Sequence, residues 1–323
     1  MRRRELLAGG MAMLGGAAYA QAPAGWPGRP VTIVNPFAAG GFTDAFGRAI
    51  AAHLQKLFGQ PFVTEYRSGA GATLGATHVA RAAPDGLTLL YAPTTPWVVA
   101  PNLYKTPGYD PLKDLAPIAL VGATPMVLNA RTGLPFTDVA GLVAAARAKP
   151  GTLSYASSGV GSLPHLMGSF FAALAGLQLN HVTYRGGAPA MNDLLAGHVD
   201  LMFEAVPNVA QHVAAGRAVP LMTSGDSRTP LLPSVPTVAE AGFPDLNLMS
   251  WIGIAAPAGT PAPILVALNG GVNEALATPE LREMMARSGM VPLGGPPEAM
   301  AARMARELPL YRRIIEGAGI TAE

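Results

Sequence analysis

Cysteine is absent from the 323 residues. That excludes a disulfide framework, a thiolate metal centre and a thiol nucleophile. Charge is sparse as well, with Asp, Glu, Lys and Arg at 13%. Three of the 22 basic and one of the 20 acidic residues lie within the first five positions, leaving 19 of each over the rest of the chain. A chain with no net charge and no basic run suits nucleic acid poorly, so no nucleic-acid partner is expected. The six histidines (His53, His78, His165, His181, His198, His212) include no pair at zinc-helix spacing, and no Asp/Asn-rich calcium loop is present, so no metal site is expected. Also missing are a Gly-x-Ser-x-Gly elbow and a Walker-type loop. The string Gly69-Ala70-Gly71-Ala72-Thr73-Leu74-Gly75 imitates a dinucleotide loop. Its last glycine comes one position late and no acidic residue follows at the ribose-binding distance, so no cofactor is expected. Beyond the leader, no run approaches the roughly 20 apolar residues that span a bilayer.

What is there is apolar and heavily punctuated: half the residues are hydrophobic, with 38 glycines and 31 prolines spread along the chain. Residues 1–22 read as a signal peptide. Arg2, Arg3 and Arg4 precede an apolar stretch that ends in Ala18-Tyr19-Ala20, and cleavage fits after Ala20 or after Ala22. Arg3-Arg4-Glu5-Leu6-Leu7 resembles a twin-arginine signal, so both the general and the twin-arginine export routes stay open. An uncleaved anchor is the alternative reading, disfavoured because the run is short and glycine-rich. The mature protein is expected in the periplasm.

After the leader, strand and helix patterns alternate. Expected strands fall at 31–34, 62–66, 87–91, 126–128, 153–156, 181–184, 199–203, 220–223 and 251–255. A helix from about Thr43 carries Phe46, Ile50, Leu54 and Leu57 at helical spacing. Further helices are expected at 76–82, 138–148, 163–175, 190–195, 263–277, 279–288 and 297–317. This alternation predicts an α/β fold with mostly parallel strands. Two clusters of strand–helix units separated by Pro-rich connections suggest two lobes. We place lobe 1 at 23–124 plus 244–323 and lobe 2 at 125–243, so that the chain crosses between them twice.

Three loops rich in Gly, Ser or Thr stand between a strand and a helix: residues 37–44, 68–73 and 157–162, with His165 one turn beyond the last. Loops at the carboxyl ends of parallel strands line the ligand crevice in such folds. Free amides at helix N-termini favour an anion without needing lysine. Two such loops facing each other would clamp a carboxylate. Each feature also has a plain structural reading. Thr43 and Asp44 suit a helix cap and first turn, Ser157 and Ser158 suit a turn, and His165 suits a half-buried helix position.

The ordered strings then point to a family. They include Trp26-Pro27-Gly28-Arg29-Pro30, Pro36-Phe37-Ala38-Ala39-Gly40-Gly41 with Thr43-Asp44, Ala83-Pro84-Asp85-Gly86, Tyr109-Asp110-Pro111-Leu112, Ser157-Ser158-Gly159-Val160-Gly161-Ser162 and Pro236-Thr237-Val238-Ala239-Glu240-Ala241-Gly242. Along nearly the whole mature chain the sequence resembles the substrate-binding proteins of tripartite tricarboxylate transporters, the Bordetella uptake gene family. The resemblance implies a two-lobe, type II-like periplasmic binding fold with two crossover strands and a cleft between lobes. It implies a small carboxylate ligand (dicarboxylate, tricarboxylate or aromatic acid) and a large and a small membrane subunit as partners; a binding module without turnover is expected, and a monomer, since the protein must close around its solute. Carried onto this chain, the implied ligand-binding positions are Phe37, Gly41, Phe42, Thr43, Asp44, Ala70, Ala72, Thr94, Ser157, Ser158, Gly159, Gly161, Ser162, His165, Tyr184 and Glu204. Phe42 departs from the small residues or proline usual there, either favouring an aromatic acid or turning into the lobe core. Glu204 stands where Asp is frequent, and a longer acid would narrow the site or repel a second carboxylate. Arg185 keeps a positive charge usual after the tyrosine. Two rival functions are a sensory binding protein that presents its ligand to a membrane receptor, and an exported hydrolase using Ser157 or Ser158 with His165.

Overall fold

The computed structural model describes residues 23–37, 39 and 42–321; the expected signal peptide, residues 1–22, lies outside them. Two sheets organise the described residues. The first is built from β1 (Val31–Asn35), β2 (Phe62–Tyr66), β3 (Thr88–Pro93), β4 (Leu115–Thr124), β10 (Ser250–Pro257) and β11 (Val291–Pro292), in the order β11-β4-β10-β3-β1-β2. The second is built from β5 (Met126–Arg131), β6 (Ser154–Ser157), β7 (Asn180–Thr183), β8 (Leu201–Ala205) and β9 (Ala218–Thr223), in the order β7-β6-β8-β5-β9.

Ten helices flank these sheets among the described residues. They are α1 (Phe42–Phe58), α2 (Thr73–Ala80), α3 (Ala100–Leu103), α4 (Val139–Ala148), α5 (Leu163–Ala175), α6 (Gly187–Ala196), α7 (Val206–Ala214), α8 (Ala262–Ala277), α9 (Pro279–Arg287) and α10 (Pro297–Gly317). In α1, Phe46, Ile50 and Leu54 recur at four-residue spacing and are buried against the first sheet, as the periodicity requires, whereas Leu57 is exposed. The start of α5 is fixed by Ser162, whose side chain accepts from the His165 amide, and its end by Gly176 in the left-handed region at φ 61°.

The sheets are mixed, which corrects the expectation of mostly parallel strands. β1 pairs in parallel with β2 and β3, and β6 with β7 and β8. The strands that receive the chain after each crossover run the other way: β10 is antiparallel to β3 and β4, and β5 to β8 and β9. The cause is topological. β4 keeps the direction of β1–β3 and passes straight into β5 at Pro125, whereas β10 returns the chain to the first sheet from the other end and so crosses it against its βαβ direction. These central strands are almost wholly buried. Beside the crossover, Trp97 and Trp251 stack at 6.2 Å between ring centroids. One buried cluster runs from Leu90 and Trp97 through Trp251 to Leu128, Leu166 and Phe203, tying the two sheets together.

Candidate functional site

Sheet order decides where a ligand could sit. The crossovers leave from β4 and β10 on one side and enter β5 and β9 on the other. The carboxyl ends of β1 and β6, which lie away from these crossovers, carry the first and third candidate loops.

In the first loop, buried Asn35 accepts from the Phe37 amide through Oδ1 at 3.1 Å, which turns the chain as it leaves β1. Gly41 and the side chain of Phe42 lie outside the described residues. The helix opens at Phe42, so Thr43 sits in its first turn and is not the cap that the sequence suggested; its carbonyl accepts from Tyr91 Oη at 2.7 Å. Asp44 is 1% exposed and its carboxylate accepts from Tyr66 Oη at 2.8 Å and from Arg48. The carboxylate is thus held by Arg48 of α1 and Tyr66 of β2, at the positive end of α1.

The second loop holds Ala70, Gly71 and Ala72 in the left-handed region, at φ 44°, 59° and 74°. Such a conformation costs an alanine on the order of 1 kcal/mol. It presses Gly71 so close to Tyr104 that an added Cβ would stand 2.6 Å from the phenol oxygen. Thr94, at the end of β3, is buried; its Oγ1 accepts from the Trp251 amide at 2.8 Å. That hydroxyl therefore anchors β10 beside the crossover.

The third loop is the most elaborately held. Ser157 is fully buried, with Oγ 2.7 Å from His181 Nε2 and 3.3 Å from the Gly159 amide. Ser162 Oγ donates to the Gly159 carbonyl at 2.7 Å. The Gly161 amide donates to His165 Nδ1 at 3.1 Å, so the His165 ring is neutral with its proton on Nε2. The two imidazoles stack face to face at 3.9 Å and 5°, with Tyr155 against His181 at 4.9 Å. Burial, reinforced by the neighbouring His181, pushes His165 down to about 4; burial lowers His181 too. Gly159 and Gly161 adopt φ 140° and 74°, and a Cβ on Gly161 would collide with Leu103 of α3. The loop after β6, in the second sheet, thus touches Leu103 of α3, which follows β3 of the first sheet. Ser158 is half-buried in the same turn.

Two more of the expected positions border this loop. Tyr184 donates its amide to the Ser157 carbonyl at 3.0 Å and its hydroxyl to Asp193 at 2.8 Å, and burial together with Asp193 pushes the phenol up to about 12. Glu204 is buried at the end of β8. Its Oε1 accepts from the Ala205 amide at 2.8 Å and from Asn208 at 3.1 Å, while Oε2 lies 2.6 Å from where a Gly187 Cβ would be, at the start of α6. Burial pushes this carboxyl up.

The pairing of Ser157 with His165 that the hydrolase reading named is not formed. Ser157 meets His181, and His165 Nδ1 is taken by the Gly161 amide. Sequence reasoning missed His181, Asn35 and Leu103. His181 was legible to a degree, because it pairs in register with Tyr155 two residues before Ser157, but only strand pairing discloses that neighbourhood. Among the described residues no group of three or more His, Cys, Asp or Glu could hold a metal ion, and no helix is long and apolar enough to cross a membrane.

This architecture recurs in known proteins. A family model described as the tripartite tricarboxylate transporter family receptor, TctC, matches residues 46–320. A UPF0065 protein from the tcbD-tcbE intergenic region of Pseudomonas sp. strain P51 is 38% identical over 315 residues, covering 97% of this chain and 94% of that protein. The solved structure of the periplasmic binding protein BugD has a TM-score of 0.77 at 36% identity, covering 92% of this chain and all of that one. Rpa4515 of R. palustris, solved with adipate, has a TM-score of 0.79 at 35% identity, covering 92% of this chain and 99% of its own. With a family match across most of its length and relatives of this identity along nearly all of it, the chain belongs to the tripartite tricarboxylate transporter receptor family.

Proposed function

We propose that this protein is a periplasmic solute-binding protein that holds a small carboxylate between the loop of residues 37–44 and the loop of residues 157–162, and hands it to the large and small membrane subunits of a transporter without chemical turnover. The observation that carries the reading is the pairing of two helix starts. α1, of 17 residues, and α5, of 13, each open from a loop at the carboxyl end of a parallel strand, one in each sheet. Backbone amides at such ends supply partial positive charge to an anion. The lobes, taken as 23–124 plus 244–323 and 125–243, would close by hinge rotation about the two crossovers. Export by a signal peptide cleaved after Ala20 or Ala22 belongs to the same proposal. The adipate bound to the R. palustris relative makes a six-carbon dicarboxylate the first acid to try.

Calorimetric titration of the unfolded and refolded mature chain with adipate, citrate and benzoate tests this. One acid is expected to bind with one site per chain. Ser157→Leu, which fills the turn under the third loop, is expected to weaken that binding by roughly tenfold or more. No heat with any of the acids, after refolding has removed co-purified ligand, would count against the reading.

A further inference from the structure

A cavity lies beside the edge strands β9 and β11, on the crossover side of the two sheets. It has a volume of about 710 Å³, within the range of small-molecule sites. Its walls come from the loop after β9, from Pro125 and Met249 in the crossovers, from the turn before β11, and from α10. β9 and β11 are the edge strands on the crossover side of their sheets, whereas β1 and β6 lie on the other side. The crossovers therefore stand between this cavity and the carboxylate loops.

Two independent observations mark it as a ligand site. Thr229 lines the cavity, is 4% exposed, and its buried Oγ1 has no protein hydrogen-bond partner; native structures rarely leave such a hydroxyl unpaired. The lining also carries Arg228, Arg303 and Arg306 beside Asp226 and Glu307, with Arg228 held by Glu240 at 2.9 Å. Arg303 is committed, bonding Glu307 at 2.8 Å with its guanidinium 5.4 Å from the Trp251 ring centroid. Arg306 is 71% exposed and only 3.6 Å from the already bonded Glu307 oxygen, which leaves it able to meet an anion. The remaining lining is largely apolar, with Leu231, Met290 and Leu310 among it.

We propose that this cavity is a second ligand site for an anion with an apolar body, and that its occupancy favours closure of the cleft. The coupling follows from the hinge. Leu231, in lobe 2, reaches lobe 1 so closely that its Cδ1 lies 2.6 Å from a Cβ built on Gly289. Leu103 and Gly161 make the equivalent contact on the other side of the crossovers. When the lobes turn about segments that lie between these contacts, either contact opens as the other tightens. An occupant that wedges Leu231 away from Gly289 pushes the carboxylate loops together. The site itself does not depend on which acid the cleft takes.

Octanoate is a suitable probe, and the lack of native cysteine allows clean spin labelling. Val63→Cys on β2 and Thr183→Cys on β7 lie on exposed positions of the strands farthest from the crossovers. Octanoate titrated into the full mature chain is expected to bind once, to lose roughly tenfold in affinity in Arg306→Glu, to weaken in Thr229→Val, and to shorten the nitroxide distance measured by pulsed electron resonance. Leu231→Trp, which fills the cavity, is expected to abolish binding. Should that variant fail to fold, the exposed Arg306 substitution decides. Absence of binding at millimolar octanoate, affinity unchanged in Arg306→Glu, or an unchanged nitroxide distance on saturation would each overturn the proposal.

Discussion

His165 and His181 stack so closely that two positive charges could not share the space, and both rings brace the turn that carries Ser157 and Gly161. His165 falls from 6.5 to about 4 because burial penalises its charged form. The native protein thus binds fewer protons than the unfolded chain between those values. Stability is present in full above pH 6.5 and drains away as pH falls toward 4. The loss is expected to be on the order of 2 kcal/mol after solvent screening is allowed for. Thermal melts across that range should show it, and His165→Gln should flatten the profile. Glu204 titrates in the opposite sense: burial raises its carboxyl, so the ionised form is a liability at neutral pH. Glu204→Gln is expected to melt higher than the wild type at pH 8, with the difference vanishing near pH 4. It should also tighten any ligand that brings a second carboxylate toward α6, by severalfold in a titration.

At the scale of elements, the loops hold more strain than their composition suggests. Ala70 is exposed in a left-handed conformation that glycine adopts freely. Ala70→Gly is therefore expected to raise unfolding free energy by about 0.5–1 kcal/mol in urea. Gly161→Ala meets two penalties, its positive φ and the side chain of Leu103. It should destabilise by about 1–3 kcal/mol, and Leu103→Ala in the same chain should restore some of that loss, which a double-mutant cycle reads directly. Helices with clear periodicity and caps were legible from the residues alone. The 163–175 and 297–317 spans coincide with α5 and α10, because Ser162 and the prolines at their starts fix the boundaries. β4 was hidden. Its ten residues lie behind a proline-rich approach and carry Pro117 and Gly122, and nothing local says that antiparallel pairing with β10 will extend them. The helix α7 was lost for a related reason: Pro207 and Asn208 mask its start, while Val206 and Val209 bury one face.

At the scale of the molecule, the two-lobe arrangement could be inferred from ordered strings and the return of a late strand to the first sheet. The direction of the crossover strands could not, since direction is set by which lobe the chain is entering. The site was legible as loops but not as contacts. Ser157, Gly161 and His165 were named from their pattern, whereas their bonding to His181 and Leu103 depends on pairing between distant segments. The crossover is also where a single substitution should reach furthest. Trp251 is fully buried, stacks on Trp97 and donates to Glu307 at 2.7 Å, so Trp251→Ala is expected to cost about 3–5 kcal/mol in equilibrium unfolding. The central claim is that a carboxylate is shared between the lobes at the two helix starts. The most direct test is a crystal structure of the refolded chain with its tightest-binding acid. The account predicts a carboxylate group within hydrogen-bond reach of backbone amides from residues 37–44 and from residues 157–162 together. An acid bound in one lobe alone, or away from both loops, would contradict it.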